Sequence, residues 1–251
     1  MSSVKTLVRS ISAAALGVAL FATAGCGGSI SSSSAPDPLV QFVNAVPDSV
    51  ALDLLFDDFK EDRLVAIGSG VAYMGSNGTF KEVRAGGHAL ILKETGDPFE
   101  LWSQTFDTAN DRSYVAVAIG QKAFGTDFEK RPRFITFDID RTAPNGNKSR
   151  LYIVHAFNRA ASIDTPAIDF QTPGDNPTYR AADIAYGTVK DLTVDSGTIT
   201  LQARNRGTDF VYAEATPTLG AGKIYLAVVS GVEDSVGAQA PRVFFTELRT
   251  R

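Results

Sequence analysis

The sequence is poor in the residues that most direct chemistry uses. Its 251 residues include one cysteine, one tryptophan, two histidines and two methionines. A single cysteine excludes an intrachain disulfide and a Cys-based zinc site. The histidines, His88 and His155, both fall in segments that read as strands, whereas sites tend to sit on loops. No G-x-S-x-G, S-x-x-K, H-E-x-x-H or EF-hand pattern occurs. Basic charge is not in excess, with 24 Lys+Arg against 28 Asp+Glu, so the basic footprint of a nucleic-acid binder is missing. Long apolar runs are missing too; a membrane-spanning helix needs roughly 20 residues. A composition of 44% hydrophobic and 21% charged residues excludes a disordered, collagen-like or coiled-coil chain. What is left is a chain that folds as one or two globular domains and needs no cofactor.

The one cysteine stands at an informative place. Met1–Ser10 carries Lys5 and Arg9 and no acid, residues 11–22 (ISAAALGVALFA) are uncharged and mostly apolar, and Thr23-Ala24-Gly25 precede Cys26. A basic flank, a short apolar run and a small-residue end together read as a signal peptide over 1–25. The segment resembles a bacterial lipoprotein signal, in which a small-residue lipobox ends in a cysteine that is diacylated and becomes the mature N-terminus. Ala24-Gly25-Cys26 fits that pattern, and Thr23 stands where it favours Leu. The resemblance implies lipid attachment at Cys26, a membrane partner through that lipid, and a cell-envelope location. Gly27 in place of Asp after the cysteine implies the outer membrane in a Gram-negative cell. A soluble secreted protein is the alternative. Removing residues 1–25 takes two basic side chains and no acid, so attraction to anionic lipid does not replace the acyl chains, two of which anchor stably. Residues 26–38, Gly/Ser-rich, read as a flexible tether with a root-mean-square span of about 20 Å.

From residue 39 onward, short runs of β-branched and aromatic residues alternate with Gly, Pro, Asn and Asp, the pattern of a sandwich or barrel. In the first half, strands are expected near Val40–Asn44, Ala51–Phe56, Val71–Tyr73, Thr79–Val83, His88–Lys93, Leu101–Phe106, Ser113–Ile119 and Arg133–Asp138. The second half repeats the first. VQFVNA (40–45) matches LYIVHA (151–156), and ALDLLF (51–56) matches AIDFQT (167–172). Val83–Gly86 falls on Val194–Gly197 and SYVAVAIG (113–120) on IYLAVVSG (224–231), both at an offset of 111, and Pro132–Ile135 on Pro241–Phe244 at 109. The expected architecture is all-β: two tandem immunoglobulin-like antiparallel β-sandwich domains, 39–140 and 151–251, joined by a polar linker at 141–150. In the 113–120 strand, Val115, Val117 and Ile119 alternate with Tyr114, Ala116 and Ala118, so both faces are apolar. Such a strand belongs in the middle of a sheet, with one face in the core and the other under a loop or the sister repeat.

VQFVNAVPDSVALDLLFDD (40–58), followed by AGGHALIL and DRSYVAVAIG, resembles the bacterial envelope module known as domain of unknown function 4397. Asn44, Pro47, Asp48 and Asp53 stand on its patterned positions. The second repeat departs from it, with His155 in place of the Asn and Asn158-Arg159 in place of Pro-Asp. The resemblance implies a β-sandwich lipoprotein and assigns no reaction.

Residues that could carry chemistry are few. Asp57, Asp58, Glu61 and Asp62, in a turn-like stretch, are oxygen donors of the kind Ca²⁺ takes, although Lys60 and Arg63 among them favour a solvated turn. Asp53 and Asp169 stand at equivalent places, but an Asp inside a strand more often accepts backbone N–H bonds than serves as one of a glycosidase's paired acids. Trp102, alternating with Leu101 and Ser103 and sharing a face with Gln104, either fills the core or offers a stacking platform for a sugar or protein. The expectation is a non-enzymatic, lipid-anchored envelope protein presenting two sandwiches to a protein or glycan, with Trp102, Asp48 and Asp53 as candidate binding residues. The alternatives are an envelope hydrolase with its site between the repeats, or a structural spacer.

Overall fold

The computed structural model describes residues 35–58, 63–124, 130–159 and 164–249. The signal segment, Cys26, most of the tether, and Glu61 and Asp62 of the acidic cluster lie outside the described residues. In the first half the strands are β1 (Leu39–Asn44), β2 (Leu52–Asp58), β3 (Arg63–Val71), β4 (Gly75–Ser76), β5 (Lys81–Glu82), β6 (Gly86–Glu94), β7 (Glu100–Thr108), β8 (Ser113–Ile119) and β9 (Arg133–Ile139). In the second they are β10 (Lys148–Asn158), β11 (Ile168–Gln171), β12 (Arg180–Ile184), β13 (Val189–Asp195), β14 (Gly197–Thr198), β15 (Leu201–Asn205), β16 (Val211–Ala215), β17 (Thr218–Leu219), β18 (Ile224–Val232) and β19 (Arg242–Leu248).

Each half is a sandwich of two sheets, and the strand orders correspond. The first has β4-β1-β8-β9 over β3-β2-β6-β7; the second has β13-β10-β18-β19 over β12-β11-β15-β16. The protein is therefore all-β, as composition and alternation indicate. One pair in each half departs from an antiparallel rule: β1 runs parallel to β8, and β10 to β18. The chain crosses to the other sheet and returns between the members of each pair, so both enter their sheet from the same end.

Two local expectations are corrected. The strand expected at Val71–Tyr73 is the end of a longer one, Arg63–Val71, whose ladder along β2 outweighs its Gly-rich, weakly patterned sequence. The polar segment 141–150 yields its last three residues to β10, because pairing with β13 continues down to Lys148 opposite Asp195, where the two side chains form an ion pair at 2.6 Å.

Three apolar clusters hold residues 35–251 together as one compact unit. Phe42, Leu54, Phe56, Leu90 and Leu92 belong to the core of the first sandwich. Ile153, Phe157, Phe170, Leu201 and Val229 belong to that of the second. The third cluster lies between the sandwiches and draws on both: Val43, Val115 and Val117 from one side, Val154, Leu226 and Val228 from the other. The two-faced β8 is thus central in its sheet, with Ala116 and Ala118 in its own core and Val115, Val117 and Ile119 against the sister sandwich.

The packing has approximate two-fold character. Val71-Ala72-Tyr73 and Ile184-Ala185-Tyr186 lead out of β3 and β12 at equivalent places, and each Tyr reaches across. Tyr73 Oη meets Ser230 Oγ at 3.2 Å, while Arg133 lies over the Tyr186 ring at 5.4 Å. Ser230 Oγ also donates to the Ala45 carbonyl at 2.8 Å, bringing the last residues of β1 beside those of β18. Strands of the two inner sheets therefore run the same way, and the axis relating the halves follows them. At one end, here the upper, lie the turns after β6 and β15, because Leu52 pairs with Glu94 and Ile168 with Asn205. At the lower end the described chain begins: the Pro36 and Pro38 carbonyls accept from Asp111 N–H at 2.7 Å and Val83 N–H at 2.9 Å.

Because the middle cluster belongs to both halves, Leu226→Ala should cost about 2–5 kcal/mol and lower a single unfolding transition. Calorimetry resolving two transitions, with only one displaced, would contradict this coupling.

Candidate recognition surfaces

Several of the polar residues picked out by sequence serve the fold in matched pairs. Asn44 Nδ2 donates to the Val71 carbonyl at 2.9 Å, tying the first strand of one sheet to the end of a strand in the other. His155 does the same in the second half, with Nδ1 at 2.9 Å from the Ile184 carbonyl. Burial of the imidazole, partly offset by its bonding to backbone carbonyls, lowers the His155 pKa to about 4. His88 is also buried, its ring tilted at 34° against Phe56 with centroids 4.0 Å apart, and neither nitrogen has a hydrogen-bond partner among the described residues. Neither histidine has a hydrogen bond to a Ser or Asp side chain among the described residues, the arrangement that a hydrolase triad requires.

Asp53 and Asp169 also match. Asp53 Oδ1 accepts from Gly70 N–H and Thr95 Oγ1, both at 2.7 Å, and Asp169 Oδ1 from Asp183 N–H at 2.8 Å. Gly70 and Asp183 hold left-handed backbone, at φ of 65° and 56°, beside irregularities in the ladder, so each carboxylate pins a bulge. Burial alone would raise the Asp169 pKa; the Asp183 N–H, Arg180 and the Gly207 N–H outweigh it and hold the carboxyl below its usual range. Asp48 accepts from Lys122 and Ala123 N–H, both at 2.9 Å, and so caps the short turn after β8. At the corresponding place in the second half, Arg159 pairs with Glu233.

Trp102 is half-buried at the margin of the first core. Its indole N–H donates to Gln104 Oε1 at 3.1 Å and the Arg131 guanidinium lies 4.2 Å over the ring. Asp57 and Asp58 are not in a loop; they end β2, opposite Leu64 and Arg63. Among the described residues no group of three His, Cys, Asp or Glu is placed to hold a metal ion.

Two features escaped the sequence reading. At the upper end, Phe99 in the β6–β7 turn and Phe210 in the β15–β16 turn are 77% and 58% exposed. They are equivalent residues, and each turn is closed alike: Asp97 Oδ1 accepts from Phe99 N–H at 2.9 Å and Thr208 Oγ1 from Phe210 N–H at 3.3 Å. The signal was in the sequence as Gly-x-x-Phe at 96–99 and 207–210, again 111 residues apart. Leu90 and Leu201, and Val117 and Val228, are repeated because they are buried; the repeated Phe is not. The second feature is a cleft of about 190 Å³ on the outer face of the second sandwich, between the β11–β12 connection and the β15–β16 turn, lined by Asp169, Gln171, Arg180, Arg204 and Asp209 among others.

The family model described as "Domain of unknown function (DUF4397)" matches residues 38–171, from the strand before Asn44 through β11. The chain belongs to that family. The match runs past the first sandwich and takes in β10 and β11, so this DUF4397 chain carries the family pattern into the strand that packs against β8. No curated protein matches the chain by sequence. Solved structures to which it is similar include the TIE protein of Bacillus anthracis, at 10% identity and a TM-score of 0.24, covering 76% of this chain and 33% of that one. The chain thus spans about a third of that protein's length. A family 26 carbohydrate-binding module from Eubacterium rectale Amy13K, solved with maltoheptaose, matches at 12% identity and a TM-score of 0.24 over 86% and 97% of the two chains. A streptococcal virulence factor that binds alpha-glucan matches at 9% and 0.23, over 83% and 96%. TM-scores this low establish neither a common fold nor a common ligand.

The His155 crosstie makes a measurable prediction. An unfolded histidine takes up its proton near pH 6.5 and the folded one near 4, so stability is lost as pH falls through that window, by on the order of 3 kcal/mol in full. His155→Asn, the residue that the first half carries there, should keep the bond to Ile184 and remove this part of the acid sensitivity. Urea midpoints at pH 7 and pH 5 for both proteins check it.

Proposed function

We propose that the chain is a lipid-anchored envelope protein in which two β-sandwich domains, 39–140 and 151–251, hold binding surfaces for a protein or glycan away from the membrane, without catalysis of its own. The observation that carries this reading is the separation of the ends. The described chain starts at the lower end, and the exposed Phe99 and Phe210 stand at the upper end on equivalent turns. On this reading the lipid-bearing end of the chain joins the fold at the lower end, opposite those rings. Sheets pack roughly 10 Å apart, so two sandwiches back to back set their outer sheets about 30 Å apart. The two rings therefore act as separate anchors on an extended partner, and aromatic anchors are the usual centres of binding hot spots.

In cells, the wild-type protein should partition into the detergent phase, and Cys26→Ser should move it to the aqueous phase with loss of acyl mass; unchanged partitioning overturns the anchor. Phe99→Ser and Phe210→Ser, at exposed positions, should change stability by no more than about 0.5 kcal/mol. A photo-crosslinker at residue 99 or 210 should give discrete adducts on intact cells, and one at Arg84, at the lower end, should not. Adducts independent of position would count against the tips as the contact surface.

A further inference from the structure

We infer that the outer face of the second sandwich is a binding site for a neutral, hydroxyl-rich carbohydrate, seated in the cleft between the β11–β12 connection and the β15–β16 turn. This deepens the binding reading above, which it needs, by naming the ligand class and the face.

The duplication supplies its own control. Cross-strand neighbours on the outer face of the first sandwich form the row Ala66, Leu55, Ile91 and Ser103. At the corresponding places in the second sandwich stand Arg180, Gln171, Gln202 and Glu214. Both outer faces sit on the same framework and lie away from the shared cluster, so neither the core nor the contact between halves calls for the exchange. One half has kept a plain surface there and the other has a line of hydrogen-bonding groups. With strands about 4.8 Å apart the line is about 14 Å long.

The local geometry holds these groups in place. Ile168 and Phe170 turn into the core, so Asp169 and Gln171 turn outward, yet they are only 3% and 6% exposed because the neighbouring segments rise around them. Arg204 Nε donates to Gln202 Oε1 at 2.9 Å, Gln202 Nε2 to Glu214 Oε2 at 2.5 Å, and Arg180 Nη2 to Asp169 Oδ2 at 2.6 Å. A ligand meets donors and acceptors already oriented, which reduces the ordering cost of binding. The cavity, about 190 Å³, has the volume of roughly six waters at about 30 Å³ each.

The charges select the class. Asp169, Asp175 and Asp209 share the cleft with Arg180 and Arg204. An anionic ligand faces three carboxylates and a cationic one faces two guanidiniums. Neutral hydroxyls, which donate and accept, use both. Carboxylate, guanidinium and amide groups in one shallow cleft offer such a ligand both donors and acceptors, and the ligand brings no charge of its own to be neutralised.

The test is affinity electrophoresis of the detergent-solubilised full chain through native gels containing an α-glucan, a β-glucan, a mannan or, as an anion, alginate. Retardation by at least one neutral polysaccharide is expected, with none by alginate. Gln171→Leu with Gln202→Ile, which installs the first sandwich's residues, should weaken retardation at least tenfold without lowering the melting temperature. Glu214→Ser, on an exposed strand position, should weaken it several-fold and serves if the double variant unfolds. No retardation by any neutral polysaccharide, retardation by alginate alone, or retardation insensitive to both variants overturns the proposal. Crosslinks at residues 99 and 210 that persist in that event would leave the broader binding reading standing.

Discussion

The structure depends on the need to cover strands that are apolar on both sides. β8 puts Ala116 and Ala118, and β18 puts Ala227 and Val229, into its own sandwich, and each sets a row of Val, Leu or Ile on the other face. Left in water, each fully exposed Val, Leu or Ile would forgo about 1.5–3 kcal/mol of burial. Backing the two halves against each other removes that cost, and it dictates which sheet of each sandwich lies inside, which faces outward and why the strands run the same way on both sides of the contact. A single chain thereby obtains what a symmetric dimer obtains by association, with no loss of translational freedom at each encounter.

Much of this was legible because period-two alternation and the repeat offset are direct records of burial. The two-faced run at 113–120 forecast a central strand with a second cover, and the covering partner is the sister sandwich. Asp53, Asp169 and Asn44 were conspicuous for a structural reason: a polar side chain inside an apolar strand must find backbone partners, and each does. Less legible were features set by distant pairing. The β3 strand, interrupted by Gly68, Ser69 and Gly70, takes its shape from β2, and the reach of β10 into the polar segment comes from β13. The outer-face residues looked like ordinary polar strand positions, since nothing local marks Gln171 and Gln202 as neighbours across a ladder. Phe99 was passed over because one exposed aromatic in a turn is unremarkable until its counterpart at 210 is set beside it.

Duplication has separated two demands that one domain must reconcile. Positions that hold the shape are constrained in both halves: a carboxylate under each bulge, a side chain tying each opening strand to the opposite sheet, and a positive-φ glycine at the end of the β8 and β18 runs. Gly120 and Gly231 sit so close to the following backbone that a Cβ would fall 2.2 Å from the Arg131 carbonyl oxygen and 2.6 Å from that of Ala240. Positions on the outer faces are released, and there the halves have diverged, one toward apolar side chains and the other toward hydrogen-bonding ones.

The parallel partnership of β1 with β8 has a mechanical side. β1 is the strand through which any load on residue 35 enters the fold, and it lies along β8 over six residue pairs, from Leu39 opposite Ser113 to Asn44 opposite Ala118. A pull at the lower end, resisted at the upper, acts along that ladder. Its hydrogen bonds are then strained together in shear, whereas a crosswise pull would open them one after another like a zip. With residue 35 at one end of the stack, β1 is set to bear tension along its length.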